Sequence, residues 1–272
     1  MTATARLTTG WEPELPIDDT LLRSVVFLRA DLMARAATAV GGQLGGSDEA
    51  AYADTGSPSA LENGVVLLQP PTARRLDSVL RTARRFFPPE RAWSLFSVWP
   101  TSDLRWRDLR LLGHPPLLVR VRDDGWLALP DIEVRGATDE DTQMLLALLG
   151  VSSPQRSYLL AAHDGAERRR LVADRDGRPV AVAATTTLHG VADAGPVWQL
   201  PSEQGPTTGA ALLAAALDEG PDVPAVALPM QEPGHVVGDW SAHRVVGFRP
   251  LLRTTVWVRP GPVVPPPRGN DP

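Results

Sequence analysis

The sequence predicts an α/β protein in which helices and short strands build a packed core. Stretches with apolar residues on one helical face alternate with short β-branched and aromatic runs. The turn Asp176-Gly177 joins two of these runs as a hairpin. The chain has 272 residues, 43% hydrophobic and 22% charged, which suits one large domain or two of ordinary size.

In the first half the pattern predicts two amphipathic helices. The first helix begins after the N-cap candidates Asp18 and Asp19 and ends at Gly41-Gly42. Thr72 caps the second helix, whose apolar residues fall on one face. The polar segment between Gly42 and Asn63-Gly64 is expected to be a loop. The predicted strands of this half are residues 65–68, 93–99 and 116–121.

In the second half Thr138 and Asp141 form a capping box that begins a helix ending near Leu149. A second helix is predicted over residues 207–217. The residues after 260 are rich in proline, and we expect a disordered tail over 261–272. The predicted strands of this half are residues 132–135, 158–162, 169–173, 179–187, 191–200, 225–228 and 251–258.

Composition and charge exclude several classes of function. The net charge is -5 and the longest basic run is only Arg168-Arg169-Arg170, so we expect no nucleic acid partner. Cysteine is absent, which removes disulfides, a thiolate nucleophile and Cys-ligated metals. Residues 1–15 lack the apolar core of a signal peptide, and no 18-residue apolar run exists. We therefore expect a cytoplasmic protein without a membrane partner.

The junction over residues 196–217 carries the clearest chemical signal. A strand ends at Leu200, a loop containing Gly205 turns the chain, and a helix rich in Ala and Leu follows. The first amide hydrogens of a helix have no internal partner and suit an anion such as a pyrophosphate. The alternative is an ordinary strand-to-helix turn. The small or hydroxyl-bearing residues of the helix start are Thr207, Thr208, Gly209, Ala210 and Ala211.

The run over residues 190–213 resembles the acyl-CoA-binding motif of the GNAT acetyltransferases. That motif has a strand, Gln or Arg, two residues, Gly, one residue, then Gly or Ala, and a helix. Gln204 matches its first position and Gly209 its last. Thr207 stands where the family has Gly, and Pro206 has no N–H at a position that usually donates one.

The resemblance covers residues 131–260 and extends to Val246-Gly247-Phe248, which is similar to the family's closing turn. It implies a mixed, mostly antiparallel sheet flanked by helices. We expect two tandem halves, a degenerate one over 1–125 and an acyl-CoA-binding one over 131–260. It also implies acetyl-CoA as cosubstrate, no metal, and a small-molecule or peptide amine as acceptor. The residues expected to contact CoA are Trp198, Gln199, Leu200, Gln204, Gly205, Thr207, Thr208, Gly209 and Ala210.

Catalysis in this family requires a base for the amine and an acid for the leaving thiolate. Asp193 is the best-placed carboxylate for the base. The family's acid is often a Tyr; His243 occupies that position in an ungapped alignment, and His235 does if residues 236–242 are an insertion. The alternatives are a solvated aspartate and a core or surface histidine. Pro196 suits the bulge by which the family separates two strands.

Two other functions stay open at this stage. A catalytically inactive binding or regulatory module would share the fold, sense CoA or bind a protein partner, and explain Pro206 and Thr207. A metal site from His235, Asp239 and His243 has helical spacing, but the glycines between them argue against a regular helix. The acceptor, the acyl chain length, the role of the first half and a possible homodimer are not written in the sequence.

Overall fold

The computed structural model describes residues 20–120, 132–151, 160, 168–203, 206–218, 222–230 and 240–261. Its strands form two sheets, one of six strands and one of eight, and most neighbours are antiparallel. Helices pack on these sheets, so the predicted fold class is confirmed. The helices are α1 Thr20–Ala39, α2 Ala73–Phe86, α3 Asp139–Leu148, α4 Pro206–Asp218 and α5 Ser241–Val245.

The first sheet has the strand order β1-β2-β3-β4-β14-β5. Strands β1 and β2 form an antiparallel hairpin within the segment that the sequence predicted to be a loop. That prediction was wrong because Gln43–Gly46 carries no apolar alternation and is mostly exposed, so its strand conformation depends on its pairing with β2. The strands are β1 Gln43–Gly46, β2 Ala50–Asp54, β3 Gly64–Leu67, β4 Trp93–Ser97, β5 Arg110–Gly113 and β14 Thr255–Arg259.

The second sheet has the order β13-β6-β12-β10-β9-β8-β7, with β11 paired to β9 beside β10. Helix α4 packs on one face of this sheet, whereas α1 and α3 pack on the other. The capping box of Thr138 and Asp141 is present at the start of α3. The strands are β6 Pro116–Arg120, β7 Glu133–Gly136, β8 Arg168–Arg175, β9 Arg178–Leu188, β10 Val191–Ala194, β11 Trp198–Gln199, β12 Ala225–Ala227 and β13 Arg249–Arg253.

The two sheets exchange strands. Strand β6, from the first half of the chain, lies between β12 and β13 of the second sheet. In return β14, near the end of the chain, lies between β4 and β5 of the first sheet. The predicted single strand over 251–258 is therefore two strands, divided at Thr254, whose N–H and hydroxyl both donate to the Pro115 carbonyl.

A second element prediction fails where it can be checked. The predicted strand over 158–162 lies outside the described residues except for Leu160, which is helical. The predicted tail over 261–272 is described only at Gly261. Among the described helices, none has the length and apolar character needed to cross a membrane.

Candidate functional site

The neighbouring parallel strands β10 and β12 part from each other at Ala194. They pair at Ala192 with Ala225 and at Asp193 with Val226. Beyond that point Ala227 pairs with β6 on its other side, and β11 pairs only with β9 among the described residues. From this point the two strands no longer share ladder hydrogen bonds, and we call the place where they separate the opening.

A β-bulge causes the separation. Ala194 is paired with Thr185 and Trp198 with Val182. The segment from β10 to β11 therefore advances four residues while β9 advances three. The extra residue falls in the Gly195-Pro196 segment, where proline has no hydrogen to donate to a neighbouring strand. The bulge that Pro196 predicted is therefore present.

The start of α4 lies beside this opening. A Cβ built on Gly209 would lie 2.9 Å from Oε1 of Gln199 and 3.0 Å from Cγ1 of Val197. A side chain at this position would therefore be tight, because the side chains of Gln199 and Val197 would have to shift to admit it. Thr207 is exposed, whereas Thr208 and Ala210 are buried at the sheet side.

A salt bridge holds the loop before α4. Nη2 of Arg175, at the end of β8, lies 2.9 Å from Oε2 of Glu203. Glu203 belongs to a short 3-10 helix over Pro201–Glu203 that follows β11. The cation therefore offsets the one carboxylate described next to the start of α4, which would otherwise repel an anion there.

His243 is buried against the bulge. It is 0% exposed, and its Nε2 lies 3.2 Å from the Ala194 carbonyl oxygen and 3.1 Å from that of Gly195. Because a carbonyl can only accept, Nε2 carries the hydrogen. The ring also contacts Trp240 and Phe248. This histidine thus holds α5 to the point where the strands separate, and its role as the acid stays a prediction.

Asp193 lies on the opposite face of the sheet from α4. In cross-strand register it is next to Thr186 of β9, which is next to Arg168 of β8, so the three share one face. Burial raises the pKa of Asp193 to about 6, although Arg29 and Arg168 oppose the shift. A carboxyl group with this pKa can exchange a proton near neutral pH.

Arg29 is a residue of this site that the sequence analysis missed. It follows Leu22, Val25 and Val26 at helical spacing, and these three are buried. A cation within the apolar stripe of a helix is the signal that could have revealed it, because an isolated arginine is rarely placed there without a partner. Helix α1 thereby brings a charge from the first half of the chain to the second sheet.

The remaining predicted residues divide into two groups. Trp198 packs with Leu145, Leu146 and Val182 beneath α3, on the face away from α4. Leu200 is partly buried between the two core clusters of the second half. Gln204, Gly205, His235 and Asp239 lie outside the described residues. Within the described part of the chain, no cluster of His, Asp and Glu could hold a metal ion.

Comparison with known proteins points to one fold. No protein-family model matches the chain, and no curated protein is significantly similar in sequence. Among solved structures, a GCN5-related N-acetyltransferase from Kribbella flavida has 18% identity and a TM-score of 0.60, over 86% of this chain and 96% of that one. A functionally unknown protein from Staphylococcus epidermidis has 10% identity and a TM-score of 0.56, over 82% and 96%.

A third structure matches over nearly the whole length of both chains. It is a tandem GNAT protein from the clavulanic acid biosynthesis pathway, with 17% identity and a TM-score of 0.53, over 92% of this chain and 98% of that one. The two sheets, the separated parallel strands and these likenesses agree. The chain therefore has the fold of the GNAT superfamily, in the form of two tandem GNAT-like halves.

Proposed function

We propose that the protein is an acyl-CoA-dependent N-acyltransferase that uses acetyl-CoA and acts on an amine. The separation of β10 and β12 beside the start of α4 carries this proposal. The extended part of acyl-CoA that carries the thioester fits between two strands that no longer pair, because it can form the hydrogen bonds that the strands no longer make with each other. The diphosphate of CoA would lie at the first turn of α4, where free amide hydrogens favour an anion.

The departures from the family motif leave room for this arrangement. Pro206 is the first residue of α4, and the amide at that position has no internal partner in any helix. Thr207 is exposed, so its side chain is free to turn from the ligand or to donate its hydroxyl. Gly209, which matches the last position of the motif, leaves the helix start without a side chain where Gln199 and Val197 come close.

The two substrates would reach the site from opposite faces of the sheet. CoA approaches from the face of α4, and the acceptor approaches Asp193 on the other face. The Asp193 carboxylate takes a proton from the acceptor ammonium, and the free amine attacks the thioester carbonyl carbon. The C–S bond then breaks, the proton that the attacking nitrogen loses passes to the thiolate to give the CoA thiol, and Asp193 releases the first proton to solvent. Positioning and backbone hydrogen bonds to the oxyanion would supply most of the rate.

Release of free CoA tests the enzyme directly. Since the chain has no cysteine, a thiol reagent detects only the CoA that turnover releases. We expect acetyl-CoA to raise the thermal unfolding midpoint and an amine panel to show thiol release. An unchanged midpoint at millimolar acetyl-CoA would contradict the proposal, because even weak binding to the native state alone stabilises it.

Gly209→Val is the variant that targets the site. The added methyl groups would push against Val197 and Gln199, and we expect acetyl-CoA to lose its stabilising effect. The matched control is Gly136→Val in β7, where an added Cβ meets nothing within 4 Å. The control should respond to acetyl-CoA as the wild type does.

One observation favours a second function, a CoA-binding module without catalysis. Nε2 of His243 donates to the backbone of Ala194 and Gly195, which leaves the predicted acid engaged in a structural contact. A module of this kind would be stabilised by acetyl-CoA and would release no thiol with any amine. The same two measurements therefore separate the two functions.

A further inference from the structure

Three arginines gather on the Asp193 face of the second sheet. Arg168 and Arg170 of β8 point to this face because residues two apart in a strand share a side. Arg29 reaches it from the buried stripe of α1. Arg170 forms a salt bridge with Asp139 at the start of α3. Among the described residues, the remaining two guanidinium groups, of Arg29 and Arg168, both face the carboxylate of Asp193.

The guanidinium groups have buried donors that no described residue satisfies. These are Nε of Arg29, Nε and Nη1 of Arg168, and Nη1 of Arg170. Burying a charged donor without an acceptor is costly, and proteins usually avoid it. Burial and the nearby Arg170 lower the pKa of Arg168 to about 8, whereas Asp193 and Asp139 oppose this shift. In the part of the chain that the structure describes, the three guanidinium groups of the cluster thus face two carboxylates, of Asp193 and Asp139, which leaves one positive charge unbalanced.

We propose that this cluster binds a carboxylate of the acceptor, so that the substrate is an amino acid or a similar amino-carboxylate. A carboxylate has one negative charge, which matches the one unbalanced guanidinium, and its oxygens accept from the donors that lack partners. Arg168 and Asp193 lie two strands apart in one cross-strand row, about 10 Å between Cα atoms. The ammonium of such a substrate would then lie at Asp193. The inference rests on the proposed transferase function in one respect only, that the amine of this substrate accepts the acyl group.

Matched acceptor pairs test the inference. The common α-amino acids are compared with their primary amides, which keep the size and the amine and lose the negative charge. We expect CoA release to favour the acid of a pair, although the amide has the more readily deprotonated amine. Equal or faster release with the amides would overturn the inference.

Arg168→Gln tests the residue itself. We expect the KM for the preferred amino acid to rise by about 10- to 100-fold, the effect of losing one charge-assisted hydrogen bond, and the KM for its amide to change little. The control is Arg169→Gln, which removes an exposed arginine on the other face of the same strand. An equal change with acid and amide, or with both variants, would contradict the inference.

A binding measurement keeps the inference separate from the proposed function. Without acyl-CoA, the preferred amino acids should raise the thermal midpoint of the wild type and not that of Arg168→Gln. Ligand-free Arg168→Gln should be at least as stable as the wild type, because it removes a buried charge with unmet donors. If no amine releases thiol, the transferase function fails. Selective stabilisation by acids still supports the inference, and its absence overturns it.

Discussion

The two halves contain the same kind of junction, a strand, a turn, a helix and a parallel strand, in two different states. In the first half β3 and β4 stay paired through Gly64–Ser94, Val65–Leu95 and Val66–Phe96. In the second half β10 and β12 pair over only two positions before they separate. We therefore call the first junction closed, since it keeps three paired positions, and the second open, since it keeps two and a bulge follows.

The residues around the two junctions also differ. The Thr72 side chain accepts a hydrogen bond from the Arg75 amide, so α2 satisfies one of its own free donors. All four residues of β3 are buried, and none of them is charged. In contrast β10 holds Asp193 at the last paired position. The first junction is thus packed with uncharged residues, whereas the second carries a titratable group at the place of the proposed site.

The largest expected effect on stability comes from removing β14, one of the two exchanged strands. Removing residues 255–272 takes β14 from the middle of the first sheet, between β4 and β5. The buried Val256, Trp257 and Val258 would be lost from the core of the closed half, and each is worth about 1.5–3 kcal/mol or more.

We expect this truncation to abolish cooperative unfolding of both halves, measured by thermal denaturation with circular dichroism. Truncation after residue 261 is the control and should unfold like the full chain. If the shortened chain kept a stable second half that still bound acetyl-CoA, the two junctions would be independent, and the link through exchanged strands would be wrong.

Asp193→Asn gives the next largest effect and acts on the open junction alone. We expect kcat/KM at pH 7 to fall by about 10²- to 10⁴-fold, the usual contribution of a general base. In the wild type log kcat/KM should rise with pH and level off near the Asp193 pKa of about 6. In the variant it should continue to rise toward the pKa of the amine. A shared profile for both proteins would remove Asp193 as the base.

The same substitution affects stability with a defined sign. The pKa of Asp193 is raised to about 6 in the native state by burial, against about 3.9 in an unfolded chain. Between these values the native state binds more protons, so the free energy of unfolding falls as pH rises from about 4 to 6. Asp193→Asn should lack this decrease, which chemical denaturation at several pH values would detect.

Local sequence patterns predicted some features of the two halves and missed others. The Thr72 cap, the box of Thr138 and Asp141, and the bulge at Pro196 are local features, and the structure contains all of them. The hairpin β1–β2 was missed because β1 is mostly exposed and has no apolar alternation. The division at Thr254 was missed because it depends on Pro115, far along the chain. For Arg29 the local signal was its place in the apolar stripe of α1, but no local pattern records that it faces Asp193, more than one hundred and sixty residues away.

Thr72→Ala gives the smallest expected effect and tests whether the closed junction is closed by its cap or by its strands. Losing the N-cap should cost about 1 kcal/mol of unfolding free energy, because the Arg75 amide loses its acceptor. Stabilisation by acetyl-CoA should not change, since β3 and β4 stay paired and leave no opening for a thioester chain. A second acetyl-CoA bound per chain in this variant, counted by isothermal titration calorimetry, would show that the capping side chain alone keeps the first half from binding. If one acetyl-CoA binds per chain, the difference between the two junctions lies in their strands. The bulge before Trp198 separates β10 from β12, whereas β3 and β4 stay paired.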